Sequence, residues 1–262
     1  MKALLLAAAL AAPASVGAHE LVSVASRPGV TQSFVVLDAG EVKPRAIALL
    51  YTGAGGRIGL RREAGEIKFR AANFLVRAAP DFARNEILPV AMDAPSDLTE
   101  LTDEYRFGNA QTADARAVIG ELKRRFPDLP VYLVGTSRGT ISAAVLGREL
   151  GAEIAGVVLT STMFGSYNSR RQAPNLRGFD YGAIRAPLLF VHHREDGCEH
   201  THYADAARLA SRYALISVTG GKPPESGPCE PFAAHGYFGR ETATVTAIAA
   251  WMRHRPFPRD IE

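Results

Sequence analysis

Only two of the 262 residues are cysteine, and lysine plus arginine exceed aspartate plus glutamate by just 30 to 27. The formal net charge of +3 is scattered: the pairs Arg61–Arg62, Arg124–Arg125 and Arg170–Arg171 each sit among acidic or apolar neighbours. A nucleic-acid surface needs a denser basic stripe, so that class is set aside. No phosphate loop is present, because no Gly–Lys–Ser/Thr follows a glycine-rich turn. The stretch TGAGGRIG, Thr52 to Gly59, fails the G-x-G-x-x-G dinucleotide pattern: counted from Gly53 and Gly55, the third glycine position holds Ile58. His192, His193, His200 and His202, with Glu199, follow no closed zinc spacing. Neither a metal nor a cofactor is therefore expected. No internal repeat or low-complexity tract follows the N-terminal segment.

What is present is ordinary globular material, with 47% hydrophobic and 22% charged residues. The first residues, MKALLLAAALAAPASVGAHE, read as a secretory signal peptide spanning residues 1–18. Lys2 supplies the positive end, Ala3 to Ala12 the apolar stretch, and Val16–Gly17–Ala18 the small residues before cleavage. That apolar stretch is shorter than the roughly 20 residues a membrane span requires. No cysteine follows to carry a lipid, so no stable membrane anchor is expected. The mature chain is expected to run from His19 as one domain, residues 19–262, in the periplasm or outside the cell. An oxidising compartment favours a disulfide between Cys198 and Cys229 over two free thiols. Closing that loop of about 30 residues is worth roughly 3–4 kcal/mol in the chain-entropy model.

Hydrophobic patterning then alternates between strands and helices. Leu21–Arg27 and Gln32–Asp38 read as an antiparallel hairpin around the turn pair Pro28–Gly29. The nearly continuous apolar run Ala46–Tyr51 reads as a strand buried on both faces, Pro187–His193 as another continuous apolar strand, and Ile87–Ala91, Val131–Val134, Ile154–Thr160 and Leu215–Val218 as further strands. Between them, helices are predicted over Phe69–Ala78, Ala113–Phe126, Thr140–Glu149, Tyr203–Tyr213 and Glu241–Met252. Residues 163–186 are polar and weakly periodic, a long loop or small cap. The class is α/β, with a mostly parallel central sheet and helices on both faces. Ligands bind such sheets at the carboxyl ends of their strands.

At one such end the chain reads VYLVGTSRGTISAAVLG, Val131 to Gly147. A serine between two glycines, at a strand-to-helix turn, is forced outward with its oxygen exposed, beside the free amides of the following helix. Such a serine needs a base, and the base a carboxylate. Downstream, PLLFVHHREDGC delivers Glu195 and Asp196 after a strand, and CEPFAAHGYFGRE places His235 in a loop before the last helix.

The elbow GTSRG, the acid in VHHRED and the late HGYFG together resemble the α/β-hydrolase superfamily. That resemblance covers nearly the whole mature chain in element order, although only these short motifs are specific. It implies Ser137 as nucleophile, Asp196 as the acid with Glu195 as its rival, and His235 as general base. It also implies an oxyanion hole from the Arg138 amide and one from the loop after Tyr51. The family often carries His–Gly at that point; here Thr52–Gly53 stands instead, so Ala54 is the candidate donor. A Cys198–Cys229 bridge would tie the acid loop to the histidine loop. Arg138, Arg170, Arg171 and Arg177 either meet an anionic substrate or form a solvated surface. The resulting expectation is an exported serine hydrolase acting on a small-molecule or short-peptide ester, thioester or amide. The alternative is a binding protein on the same fold.

Overall fold

The computed structural model describes residues 19–37, 40, 42–165 and 175–262. The leader, Asp38, Arg170, Arg171 and part of the 163–186 segment lie outside the described residues. The chain opens with the expected antiparallel hairpin, β1 (Glu20–Arg27) against β2 (Val30–Val36). It continues through β3 (Ala46–Tyr51) and a small exposed hairpin, β4 (Arg61–Glu63) with β5 (Glu66–Lys68). Then follow β6 (Ile87–Met92), β7 (Val131–Thr136), β8 (Gly156–Thr160), β9 (Leu188–His193), β10 (Ala214–Val218) and β11 (Asp260–Ile261). Apart from β4 and β5 these form one nine-stranded sheet, ordered β1-β2-β6-β3-β7-β8-β9-β10-β11. From β6 to β11 every neighbouring pair is parallel, and only β1–β2 and β2–β6 are antiparallel.

The parallel strands are buried on both faces because helices cover both. Every residue of β3, β6, β7 and β9 is buried. One face packs on α4 (Asn109–Arg125) and α5 (Gly139–Leu150), through Val118, Ile119, Leu122, Ile141 and Val145. The other packs on α1 (Phe74–Arg77), α2 (Ala79–Arg84) and the last helix, through Phe74, Phe82, Val245 and Ile248. Two short helices, α3 (Asp103–Phe107) and α6 (Tyr203–Ala207), lie in connections, and α7 runs Glu241–Met252 as expected.

Two predicted helices are shorter than their patterns suggested. Residues 69–73 are not helical: the Arg70 amide donates to Ile58 O, and Asn73 starts α1 by accepting the Leu75 amide. Pro80 then opens a separate helix in its first turn. The expected Tyr203–Tyr213 helix ends at Ala207, after which Leu209, Ala210 and Arg212 bond three residues back, the tighter 3₁₀ pattern. Within residues 163–186, Met163, Phe164, Leu176 and Tyr181 are buried against the core.

The end of β3 and the start of α5 approach each other backbone to backbone. A Cβ built on Gly139 would lie 2.0 Å from Tyr51 O, and one on Gly135 would lie 2.6 Å from Gly139 O. Gly139→Ala is expected to destabilise the protein by about 2–3 kcal/mol in urea unfolding, because β3 or α5 must move. Gly120, in the interior of α4, faces open space. Gly120→Ala should instead stabilise by about 0.5–1 kcal/mol in the same measurement.

Candidate active site

Ser137 follows β7 with φ +52, a left-handed conformation that non-glycine residues reach at a cost of roughly 1–2 kcal/mol. Its surroundings hold it there. The Ser137 amide donates to Thr160 O at 3.0 Å, and the Thr140 amide donates back to Ser137 O at 2.9 Å. Gly135 and Gly139 permit the turn because a side chain at either would strike the facing backbone. On the other side lies Gly53, whose missing Cβ would stand 3.5 Å from Ser137 Oγ.

After β9 the chain turns at Arg194–Glu195 and brings Asp196 inward. Asp196 is buried while Glu195 is exposed. His235 Nδ1 donates to Asp196 Oδ2 at 3.1 Å. The other oxygen, Oδ1, accepts the Cys198 amide at 3.0 Å. Of the two neighbouring acids, Asp196 is the one that meets the histidine. Cys198 and Cys229 are joined as a disulfide, and Cys229 lines the same cavity as His235.

Three residues that the sequence reading passed over complete this side. Thr201, fully buried, donates its hydroxyl to Asp196 Oδ2 at 2.8 Å and lies 3.2 Å from His235 Nδ1. Ser161 Oγ donates to the His235 carbonyl at 2.9 Å. Tyr237, two residues past His235 and also left-handed, donates its hydroxyl to Val191 O at 2.7 Å. These ties fix the backbone on both sides of the imidazole. A threonine five residues after the acid carries no sequence signature, which is why it was not singled out.

A cavity of about 540 Å³ opens over Ser137 and His235. Its walls include Thr52 to Ile58, Phe74, Glu100 and Pro231. In the 52–56 loop the carbonyls are engaged inward: Gly53 O accepts the Gly56 amide, Ala54 O two arginines, and Gly55 O the Leu101 amide. The Ala54 amide finds no acceptor among the described residues. An amide left without a protein acceptor in this cavity-lining loop makes it the candidate oxyanion loop. Arg138 itself turns away, its side chain bound to Asp103 Oδ1 at 2.8 Å. Arg177 pairs with Asp205 at the surface.

The two strand histidines are structural in their contacts. His192 Nε2 accepts the Thr162 amide at 2.9 Å, and its ring stacks on Phe164. His193 Nε2 lies 2.9 Å from Gly220 O, and its Nδ1 accepts the Glu195 amide. Among the described residues, no group of three or more His, Cys, Asp or Glu side chains could hold a metal ion.

With this geometry in hand, solved structures give a consistent comparison. An α/β serine hydrolase without lid, XC6422 from Xanthomonas campestris, superposes with TM-score 0.58 at 14% identity, over 92% of this chain and 97% of that one. Est1E from Butyrivibrio proteoclasticus gives 0.59 at 13%, over 89% and 98%. A soluble variant of monoglyceride lipase from Saccharomyces cerevisiae gives 0.57 at 12%, over 93% and 99%. This chain has the α/β-hydrolase fold. No protein-family model matches it, and no curated protein does so. Within that fold, the candidate residues of this hydrolase-like chain fall where the sheet's carboxyl ends converge.

Burial holds the His192 imidazole neutral, pushing its pKa from 6.5 down to about 4. The unfolded chain therefore binds the proton that the folded one refuses. Stability from this group is complete above about pH 6.5 and is lost as pH falls toward 4, by about 3 kcal/mol at pH 4. Urea midpoints measured from pH 7 to 4 should fall less steeply for His192→Gln than for the unsubstituted protein.

Proposed function

We propose that the protein is a serine hydrolase that cleaves a carboxylic ester, thioester or amide through an acyl-enzyme. The observation that carries this reading is one cavity holding both a left-handed serine at a strand-to-helix turn and a histidine hydrogen-bonded to a buried aspartate. In the first step His235 Nε2 takes the Ser137 hydroxyl proton as Oγ bonds to the acyl carbon. The Ala54 and Arg138 amides carry the negative charge that develops on the former carbonyl oxygen. His235 then returns the proton to the departing alcohol, thiol or amine. Water repeats the sequence and releases the acid, and Asp196 steadies the imidazolium at both stages.

The cavity's size suits a small acyl group, and its mixed polar and apolar wall favours a soluble ester over a lipid chain. Short peptides are the second substrate class in this reading. Export is proposed with it: the disulfide, and the lack of a described helix long and apolar enough to cross a membrane, are both compatible with a periplasmic or secreted protein. A binding protein on this fold is the competing reading. It gives no reason for burying Asp196 against His235 in a cavity that a half-buried serine shares.

A fluorophosphonate probe tests the mechanism. The folded, disulfide-intact protein should label covalently, and Ser137→Ala and His235→Ala should each abolish labelling. An unlabelled folded protein would sink the hydrolase reading and leave the binding protein.

Two further outcomes follow from the acid side. Thr201→Val removes a charge-assisted hydrogen bond to Asp196, so kcat for p-nitrophenyl acetate should drop roughly tenfold to a hundredfold with KM little changed. Reduction of Cys198–Cys229 frees the histidine loop from the acid loop. It should lower kcat together with Tm, and a Cys198→Ala/Cys229→Ala variant should lower both under non-reducing conditions.

A further inference from the structure

Among the described residues, Arg106 in α3 is the largest fully buried side chain, with no exposed surface. A buried guanidinium is expensive to desolvate, and its placement therefore marks a constraint. Its Nη1 donates to Ser142 Oγ on α5 at 2.8 Å, and its Nη2 to Ala54 O at 3.1 Å. The Arg106 carbonyl in turn accepts from the Gln111 side chain at 2.8 Å. The arginine thus bridges the helix that follows the nucleophile and the loop that faces it.

Ala54 sits at φ +49, in the region that favours glycine. Gly53 O accepts from the Gly56 amide, so Ala54 is the first central residue of a tight turn. Gly56 is crowded as well: a Cβ there would meet Leu101 at 2.6 Å and Arg106 Nη2 at 2.8 Å. Nothing in an alanine favours this conformation. The hydrogen bonds to its carbonyl do, and the one from the buried Arg106 is the shorter, since Arg138 reaches Ala54 O only at 3.5 Å. A trans peptide ties each carbonyl to the opposite direction of the next N–H. Fixing Ala54 O therefore fixes the Gly55 amide directly and, with Ala54 held at its positive φ, the Gly53–Ala54 peptide that carries the Ala54 amide.

We propose that Arg106 is a positioning residue for the oxyanion loop: it holds Ala54 left-handed from behind, so that the loop keeps its amides turned toward the cavity over Ser137. The catalytic part rests on the serine-hydrolase reading; the conformational part does not. Arg106 touches no substrate and moves no proton.

The test couples Arg106→Met with Ala54→Gly. Glycine adopts positive φ readily, so it relieves the loop of its dependence on the arginine. Thermal unfolding of the four proteins gives the conformational readout without activity. Ala54→Gly should raise Tm more in the Arg106→Met background than in the unsubstituted protein, and equal shifts in both would overturn the proposal. The kinetic readout uses p-nitrophenyl acetate and an aryl trifluoromethyl ketone, whose hemiketal carries an oxyanion. Arg106→Met should lower kcat and ketone affinity in parallel, by tenfold to a hundredfold, with KM within threefold and every active site still titratable. The double variant should recover part of that loss. A folded Arg106→Met protein with unchanged kcat would overturn the proposal. If Arg106→Met does not fold, Arg106→Lys replaces it throughout, because lysine cannot span Ala54 O and Ser142 Oγ together. Lack of any covalent labelling of the unsubstituted protein would count against the hydrolase reading alone, leaving the Tm coupling to judge the loop.

Discussion

The contact between Gly139 and the end of β3 is the constraint on which the site depends. Two parallel strands, β3 and β7, run side by side, and the helix after β7 must start against the carbonyls of Tyr51 and Thr52. That leaves no room for a side chain at position 139. It also leaves Ser137 no relaxed backbone, since the chain has to reverse within a few residues. The same closeness lays Gly53 against Ser137. The nucleophile candidate and the candidate oxyanion loop are thus products of one tight junction, not two separately placed features.

The other half of the site is aligned by an extension of the sheet's own hydrogen bonding. Beyond each strand end, the next residue still donates to its neighbour: Ser137 to Thr160, Ser161 to Val191, Arg194 to Val218 and Thr219 to Ile261. The loops that carry Ser137 and Asp196 therefore inherit strand register, although they are not strand. The His235 loop comes from farther along the chain and lacks that inheritance. It is tied instead by Ser161, by the Tyr237 hydroxyl on Val191 and by the disulfide. This explains why a protein with so few cysteines places both here.

Periodicity and turn chemistry made much of this legible. Six buried strands, the hairpin around Pro28–Gly29, and α7 to the residue all follow from local patterns, because burial on both faces leaves an unmistakable apolar run. Ser137, Asp196 and His235 stand out in the sequence as candidates by element order and by the resemblance, and the structure brings the last two into contact. What was not readable depends on partners far away in the chain. The stretch 69–73 has helical spacing, but Arg70 is drawn to Ile58. Thr201, Ser161 and Arg106 are ordinary residue types whose significance lies only in what they touch. A buried arginine in a short polar helix looks, in sequence, like a surface residue. The two-residue strand β11 is too short to carry a pattern at all.

The bridge between Cys198 and Cys229 also has a topological consequence. It turns residues 198–229 into a closed ring that contains α6 and β10, with His235 hanging just outside it. The stretch from Gly220 to Glu225 within that ring is exposed and free of helix or strand. A single backbone cut there would open the chain without parting it: β10 would stay in the sheet on one side, α7 would stay packed on the other, and a covalent link beside Asp196 would hold the two pieces together. The molecule can lose continuity at this exposed loop and still keep the histidine within reach of its carboxylate.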